Sequence, residues 1–186
     1  MGTRQELRAS SPIYVMCVSQ GFSPDDLYKK ARLLLSCYRH ICWTSYGARH
    51  LSRDGSYVVT DDDIFKALHY LETYSPDESK PVFEKNLKIL FNPKCLIDLV
   101  GSAMIQVKAF PDSGDLYFNI LSKFYLDRFK YCESDLLSLL CIERSRYYDR
   151  KKEAVLIFGL ALWGSVIPNF TETIKNAPLS PAVINA

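Results

Sequence analysis

The sequence is poor in the residues from which catalytic and metal sites are usually built. Its 186 residues include three histidines and eight glycines. It contains no glycine-rich phosphate loop, no G-x-S-x-G or H-E-x-x-H motif, and no second Cys/His pair at zinc spacing beside Cys37, His40 and Cys42. His69 is better explained as a partly exposed helix residue than as a general base. We therefore expect a protein that is not an enzyme and that has no metal or other cofactor.

An apolar leader segment and a long apolar span are also missing. Residues 1–11 carry Arg4, Glu6 and Arg8 without an apolar stretch, so we expect no signal peptide and a cytoplasmic location. The apolar run 154–167 is shorter than the about 20 residues that cross a bilayer, and we expect no membrane partner. The six cysteines lie mostly in apolar helical patterns, where buried, reduced thiols are the simplest interpretation.

Helical periodicity, interrupted by proline and glycine, runs through most of the chain. It predicts helices over 23–46, from about 60, and over 80–91, 93–109 and 115–129, so the fold class is all-α. The segment 13–18 has the composition of a strand but no strand to pair with, so we expect a short helix or a docked segment. Residues 110–114 are the clearest linker. We therefore predict a helical amino-terminal domain at 1–112, a second domain at 113–170 and a mobile tail at 171–186.

The segment 134–168 has the pattern of a helix-turn-helix that ends in a long final helix. A short leucine-rich helix follows Ser134, which is its predicted N-cap. Cys141 occupies the position at which such turns often carry glycine, and Ile142 is predicted to be a buried plug between the helices. The short helix is expected to bury Leu136, Leu137, Leu139 and Leu140. The second helix is expected to begin at Arg144 and to bury Tyr147, Ala154 and Phe158 on one stripe.

Basic residues concentrate at the start of this second helix. Within 144–152, five basic residues accompany one aspartate, a local net charge of +4 on a chain whose net charge is +2. The remainder is therefore net −2, a distribution that directs one face of the protein toward phosphate. A solvated basic helix face is the alternative, and we adopt that interpretation for a second basic surface, formed by Lys29, Lys30, Arg32 and Arg39.

The segment 115–163 carries a pattern that resembles a known family. An aromatic helix and a short hydrophobic helix precede a turn and a helix of the type Ser-x-Tyr-Tyr-x-x-Lys-Lys-x-Ala, matched by Ser145, Tyr147, Tyr148, Lys151, Lys152 and Ala154. The pattern resembles the ArpU/RinA-like transcriptional regulators of phages and prophages of Gram-positive bacteria, and also region 4 of sigma factors. Two positions depart from it: Glu143 stands where a serine-type N-cap is usual, and Asp149 where a basic or polar residue is common.

The pattern and the resemblance predict a sequence-specific transcriptional regulator that binds double-stranded DNA. The second helix would lie in the major groove. Asp149 repels phosphate, but it can accept a hydrogen bond from cytosine N4 or orient Arg146. The resemblance further implies a phage or prophage protein that acts at the nucleoid of a bacterial cell. The predicted contact residues are Arg144, Ser145, Arg146 and Tyr148 for base edges, and Arg150, Lys151 and Lys152 for phosphates.

A helical protein-interaction module is the alternative function. Such a module would act as an adaptor on RNA polymerase or on another regulator, without reading DNA directly. The run 155–163 supports it, because a helix that is apolar on nearly every side needs partners on every side. We expect this run to pack on the amino-terminal helices, and a homodimer is the other way in which it could be covered.

Overall fold

The computed structural model describes residues 11–44, 61–91 and 93–176, and within these ranges the fold is all-helical, as the sequence predicts. Eight helices follow one another in this part of the chain, without a strand: α1 (Pro12–Ser19), α2 (Pro24–Arg39), α3 (Asp61–Thr73), α4 (Lys80–Leu90), α5 (Pro93–Lys108), α6 (Gly114–Leu121), α7 (Glu133–Leu140) and α8 (Arg144–Asn176). Three π-helical turns adjoin or interrupt them: His40–Thr44 after α2, Ser122–Leu126 after α6, and Leu162–Val166 within α8.

Local sequence determines where the first helices begin. The Oγ of Ser23 accepts a hydrogen bond from the backbone N–H of Asp26 at 3.4 Å, and Pro24 occupies the first position of α2. The segment 13–18 lies within α1, which confirms the prediction of a short helix. The end predicted for the helix over 23–46, at residues 45 and 46, and the start predicted at about 60 for the next helix lie outside the described residues.

The second half of α8 forms the centre of the main hydrophobic core. This helix packs against α1, α2, α5 and α6, which confirms the prediction that its apolar run packs on the amino-terminal helices. Phe158 is fully buried, and the indole N–H of Trp163 donates a hydrogen bond to the carbonyl oxygen of Leu71 at 2.8 Å. Gly159 lets α2 approach closely, because a Cβ at this position would lie 2.8 Å from Cγ of Leu27.

The main core draws its residues from both sides of the predicted boundary at 112/113. Side chains of α2, α3, α4 and α5 share it with those of 154–167. A second, smaller cluster consists of Ile120, Leu136 and Tyr147, with partly buried neighbours around them. We call this second group the small core. The division into domains at 1–112 and 113–170 stays a prediction.

The turn between α5 and α6 coincides with the linker predicted at 110–114. Asp112 adopts a left-handed conformation with φ of 62°, and the backbone N–H of Ser113 donates to the carbonyl oxygen of Pro111 at 2.7 Å. Gly114 is buried where the chain doubles back onto α5. A Cβ at Gly114 would overlap the backbone carbonyl oxygen of Lys108, so only glycine fits this turn.

The last helix is longer than the sequence predicts. It continues past residue 171 to Asn176, and Phe170 and Ile174 pack against the main core. The remainder of the predicted tail, 177–186, lies outside the described residues. By length and composition α8 could cross a membrane, a possibility that the shorter run 154–167 did not suggest. In its most apolar window, however, 67% is buried inside the fold, which is consistent with a core helix.

Candidate functional site

The turn between α7 and α8 has the geometry of a Schellman motif. The backbone N–H of Cys141 donates to the carbonyl oxygen of Ser138 at 3.3 Å, and that of Ile142 donates to the carbonyl oxygen of Leu137 at 3.2 Å. Cys141 is left-handed, with φ of 49° and ψ of 45°, so it occupies the place that glycine favours, as predicted. The helix that follows begins at Arg144, also as predicted.

Two predicted details of the short helix α7 are wrong. The helix begins at Glu133, with Cys132 as its N-cap, so Ser134 lies inside the first turn. Leu139 is 56% exposed, because Leu136 and Leu140 already take the inward face of the helix. Ile142 packs against the small core but is only half-buried.

Tyr147 fixes the first half of α8 onto the small core. Its ring is buried with Ile120 and Leu136, as the predicted stripe with Ala154 and Phe158 requires. Its hydroxyl makes no hydrogen bond in the described part of the chain. Burial raises the pKa of Tyr147 to about 12. Tyr147 therefore holds the helix by apolar contact rather than by its polar atom.

The outward face of the first two turns of α8 is open to solvent. Ser145, Arg146 and Asp149 are all exposed, and Ser145 and Asp149, two residues before and after the buried Tyr147, face away from its side chain. Within the described residues, the guanidinium of Arg146 forms no ion pair. This face offers a cation, an anion and a hydroxyl side by side to whatever approaches it.

Glu133 holds two of the predicted base-reading residues on one flank of this face. Its Oε1 lies 2.6 Å from Nε of Arg144, and its Oε2 accepts a hydrogen bond from the hydroxyl of Tyr148 at 2.8 Å. Both α8 side chains remain exposed. Sequence reasoning missed this contact, since Glu133 is distant in sequence from Arg144 and Tyr148 and follows no periodic pattern.

Arg150 is engaged on the opposite flank, with α6. Its Nη1 lies 2.7 Å from Oε2 of Glu153 and donates to the hydroxyl of Tyr117 at 3.4 Å. That hydroxyl in turn donates to Oε2 of Glu153 at 2.8 Å. The charge of Arg150 is therefore largely balanced within the protein, which weakens it as a phosphate contact.

Lys151 points toward the protein rather than toward solvent. Its Nζ lies 3.2 Å from the ring centroid of Phe124, 5.6 Å from that of Tyr125 and 5.8 Å from that of Tyr147. Burial, together with the nearby charge of Arg32, lowers the pKa of Lys151 to about 8. We therefore revise the predicted role of Lys151 from phosphate contact to a cation–π contact that joins α8 to the end of α6.

Lys151→Met is expected to stabilise the fold by about 1 kcal/mol near pH 7, after the ring contacts and solvent screening are allowed for. In the folded state the pKa of Lys151 falls to about 8 from 10.5, so the fold disfavours the charged form. Below pH 8 the buried ammonium of Lys151 destabilises the fold to its full extent. As pH rises from 8 toward 10.5, the wild-type protein gains stability because Lys151 loses its proton in the folded state first. The advantage of the variant should therefore shrink between pH 7 and pH 9.5 in chemical denaturation.

The exposed Lys85, replaced with methionine, is the control for this prediction, and its effect on stability is expected to be small. An advantage of Lys151→Met that is equal at both pH values would contradict the burial of a charged amine at this position.

The side chain of Lys152, in α8, lies against the first two helices. Its Nζ is 5.5 Å from the ring centroid of Tyr14 and 5.5 Å from that of Tyr28. The side chain is half-buried, and no carboxylate pairs with it in the described residues. Of the three predicted phosphate contacts, Lys152 is thus the one whose charge is left unbalanced at the surface.

No group of three or more metal-ligating side chains assembles in the described residues. The thiols of Cys37 and Cys42 are buried in the main core, where burial raises the pKa of both. His40 is exposed, with its Nε2 3.2 Å from Oε1 of Glu84. All six cysteines are free thiols, and none forms a disulfide.

The site as a whole is a helix-turn-helix segment with an exposed outward face. Its own small core lies beneath α7, and the second half of α8 is anchored in the main core. The resemblance to ArpU/RinA-like regulators is carried by the sequence pattern of 115–163 and stays a prediction. No known protein family, curated protein or solved structure matches the chain.

Proposed function

We propose that the protein is a sequence-specific DNA-binding transcriptional regulator. The observation that carries this proposal is the exposed face formed by Ser145, Arg146 and Asp149 on the first two turns of α8. Side chains of this kind donate to and accept from base edges, and a helix of this diameter fits the major groove. The turn at Cys141 and the small core anchor this end of the helix.

The contacts divide by chemistry. Arg146 would donate to guanine O6 and N7, and Ser145 would contact whichever neighbouring base edge it reaches. Asp149 would favour cytosine, whose N4 amino group donates to a carboxylate. Lys152 would contact phosphate. Arg144 and Tyr148 are both bound by Glu133. They would contact base edges either from this bound position or after release from Glu133.

The resemblance to ArpU/RinA-like proteins supports a more specific proposal. In this proposal the protein is phage- or prophage-encoded, acts in the bacterial cytoplasm and regulates transcription at specific operators, with RNA polymerase as a partner. A homodimer would read a two-fold symmetric operator, since half-site spacing follows protein symmetry.

Arg146→Ala is expected to relax specificity at one base pair and to weaken cognate binding by about 1–3 kcal/mol. Lys152→Gln should instead weaken cognate and random duplexes alike and make the salt dependence shallower by about 0.9. The duplex is obtained by selecting bound sequences from a random pool with the full chain. Fluorescence anisotropy at several salt concentrations then gives affinity and slope.

Lys151→Met is the matched control, because it removes a neighbouring positive charge that the rings of Phe124 and Tyr147 hold away from solvent. Its effect on binding should be much smaller than that of Lys152→Gln. Failure of the wild-type chain to bind any duplex at low salt would overturn the proposed function. So would cognate binding that survives both Arg146→Ala and Lys152→Gln.

A protein-interaction module remains the second candidate because large apolar side chains are exposed near the same segment. Phe129 is 74% exposed just before α7, and Leu139 is 56% exposed on α7 itself. Exposed apolar groups of this size suit a protein partner such as RNA polymerase. A docking module would show no steep salt dependence with DNA, so the same titration separates the two functions.

A further inference from the structure

The surface beside α8 continues onto the amino-terminal helices. Lys152 of α8 lies over the rings of Tyr14 in α1 and Tyr28 in α2, 5.5 Å from each centroid. The sequence separates these residues by more than a hundred positions, and the packing of α8 against α1 and α2 brings them together. The ammonium group of Lys152 is thus within cation–π range of both tyrosine rings, and the side chain is half-buried.

Arg32 lies next to this group. It follows Tyr28 by one turn of α2, so the two side chains share a face of the helix. Arg32 is exposed and makes no ion pair in the described residues. α2 packs against the first half of α8, and the ammonium of Lys152 lies 5.5 Å from the ring centroid of Tyr28, one turn before Arg32. Two cations, Arg32 and Lys152, therefore lie near each other on neighbouring helices.

The other charges around Arg32 leave this pair mostly uncompensated. Arg39, farther along the same flank of α2, is bound to the carbonyl oxygens of Phe124 and Asp127 at 2.8 and 2.7 Å. The exposed carboxylates nearest in sequence on the two helices are Asp26 and Asp25, about two turns before Arg32, and Asp149, about one turn before Lys152. In the described part of the chain no ion pair joins any of these carboxylates to Arg32 or Lys152, so the junction of the two cations keeps a positive charge.

The spacing of this junction from the helix start suits the edge of a DNA groove. Lys152 is eight residues after Arg144 in α8, a rise of about 12 Å. The major groove is about 12 Å wide and about 8.5 Å deep. With the first turn of α8 against the bases, residues two turns later reach the phosphates that border the groove.

We propose that the DNA contact extends beyond the helix-turn-helix onto α2, where Arg32 and Lys152 together bind the phosphate backbone at the groove edge. This inference rests on the proposed function. It assigns to Arg32 a role that its sequence context does not indicate, because α2 alone looks like a solvated basic helix. Tyr14 and Tyr28 act as positioning residues for Lys152.

Arg32→Gln tests the proposal in the full chain, with a fluorescein-labelled random-sequence duplex and the selected cognate duplex as probes. We expect about a threefold to tenfold loss of affinity for both, and a salt slope shallower by about 0.9. Arg32→Lys should restore most of the affinity and the slope, because it keeps the charge. Lys85→Gln removes the same charge from α4, which packs on α2 and α3, and should leave both unchanged.

The outcomes separate this inference from the proposed function. If Lys152→Gln weakens binding while Arg32→Gln binds both duplexes like wild type, the role of Arg32 is overturned and the proposed function stands. If Arg32→Gln and Arg32→Lys lose affinity equally, Arg32 acts through packing, and the inference is again overturned. If the wild-type chain binds neither duplex, both proposals fail. Loss with glutamine and recovery with lysine, with Lys85→Gln unaffected, supports the extended surface.

Discussion

Replacing Phe158 with alanine is expected to lower the free energy of unfolding by about 3–5 kcal/mol. Phe158 is fully buried in the half of α8 that packs against α2 and α5. Its removal loses apolar burial and leaves a cavity that the surrounding helices can close only in part. Chemical denaturation of the full chain, followed by far-ultraviolet circular dichroism, measures the change.

Phe129→Ala is the matched control, because it removes the same ring from a side chain that is 74% exposed. Its effect is expected to stay within about 0.5 kcal/mol. Equal losses for the two variants would contradict the central position of α8 in the core. Under the proposed function, the folded fraction of Phe158→Ala should bind DNA with the same affinity as the wild-type chain, since the small core and the outward face of α8 do not include this ring.

Gly114→Ala is expected to destabilise the protein by about 1–3 kcal/mol or more, although alanine is ordinarily the better helix former. The added Cβ would overlap the carbonyl oxygen of Lys108 and would lie 2.8 Å from its carbonyl carbon. These are backbone atoms of α5, so no side-chain rotation can relieve the overlap. Thermal or chemical unfolding, with circular dichroism as the signal, gives the size of the effect.

Gly101→Ala provides the opposite expectation within the neighbouring helix. Gly101 lies in the interior of α5, and a Cβ at this position would meet nothing within 4 Å. Alanine should therefore stabilise the protein by about 0.5–1 kcal/mol through helix propensity. A neutral Gly114→Ala would show that the turn between α5 and α6 is looser than described. A destabilising Gly101→Ala would contradict the open space around Gly101 in α5.

The fold class and most helix boundaries could be predicted because their causes are local. Ser23 and Pro24 determine the start of α2 by capping and by a fixed φ, and Cys141 marks the turn before α8. The buried stripe of Tyr147, Ala154 and Phe158 follows from helical spacing alone. Such features depend on neighbours within one or two turns, which a sequence displays directly.

The directions of charged side chains could not be predicted in the same way. Lys151 and Lys152 are adjacent in sequence and equal in charge, yet one ammonium lies on the ring of Phe124 and the other lies at the surface beside Tyr28. Glu133 likewise reaches Arg144 only because α7 and α8 fold against each other. Contacts between segments that are distant in sequence decide which cations remain available to bind a partner. The periodicity within one helix does not contain that information.

The continuity of α8 gives the protein a mechanical property. With 33 residues, Arg144–Asn176 is a rod about 50 Å long, with one end at the outward face and the other just past Ile174, which packs against the main core. A tilt of about 10° around its midpoint would displace each end by about 4 Å, in opposite directions. The π-helical turn at Leu162–Val166 is the natural place for such a rod to bend. A displacement of the first turn of α8 would therefore reach Asn176 only while this π-helical turn stays straight, and a bend there would uncouple the two ends of the helix.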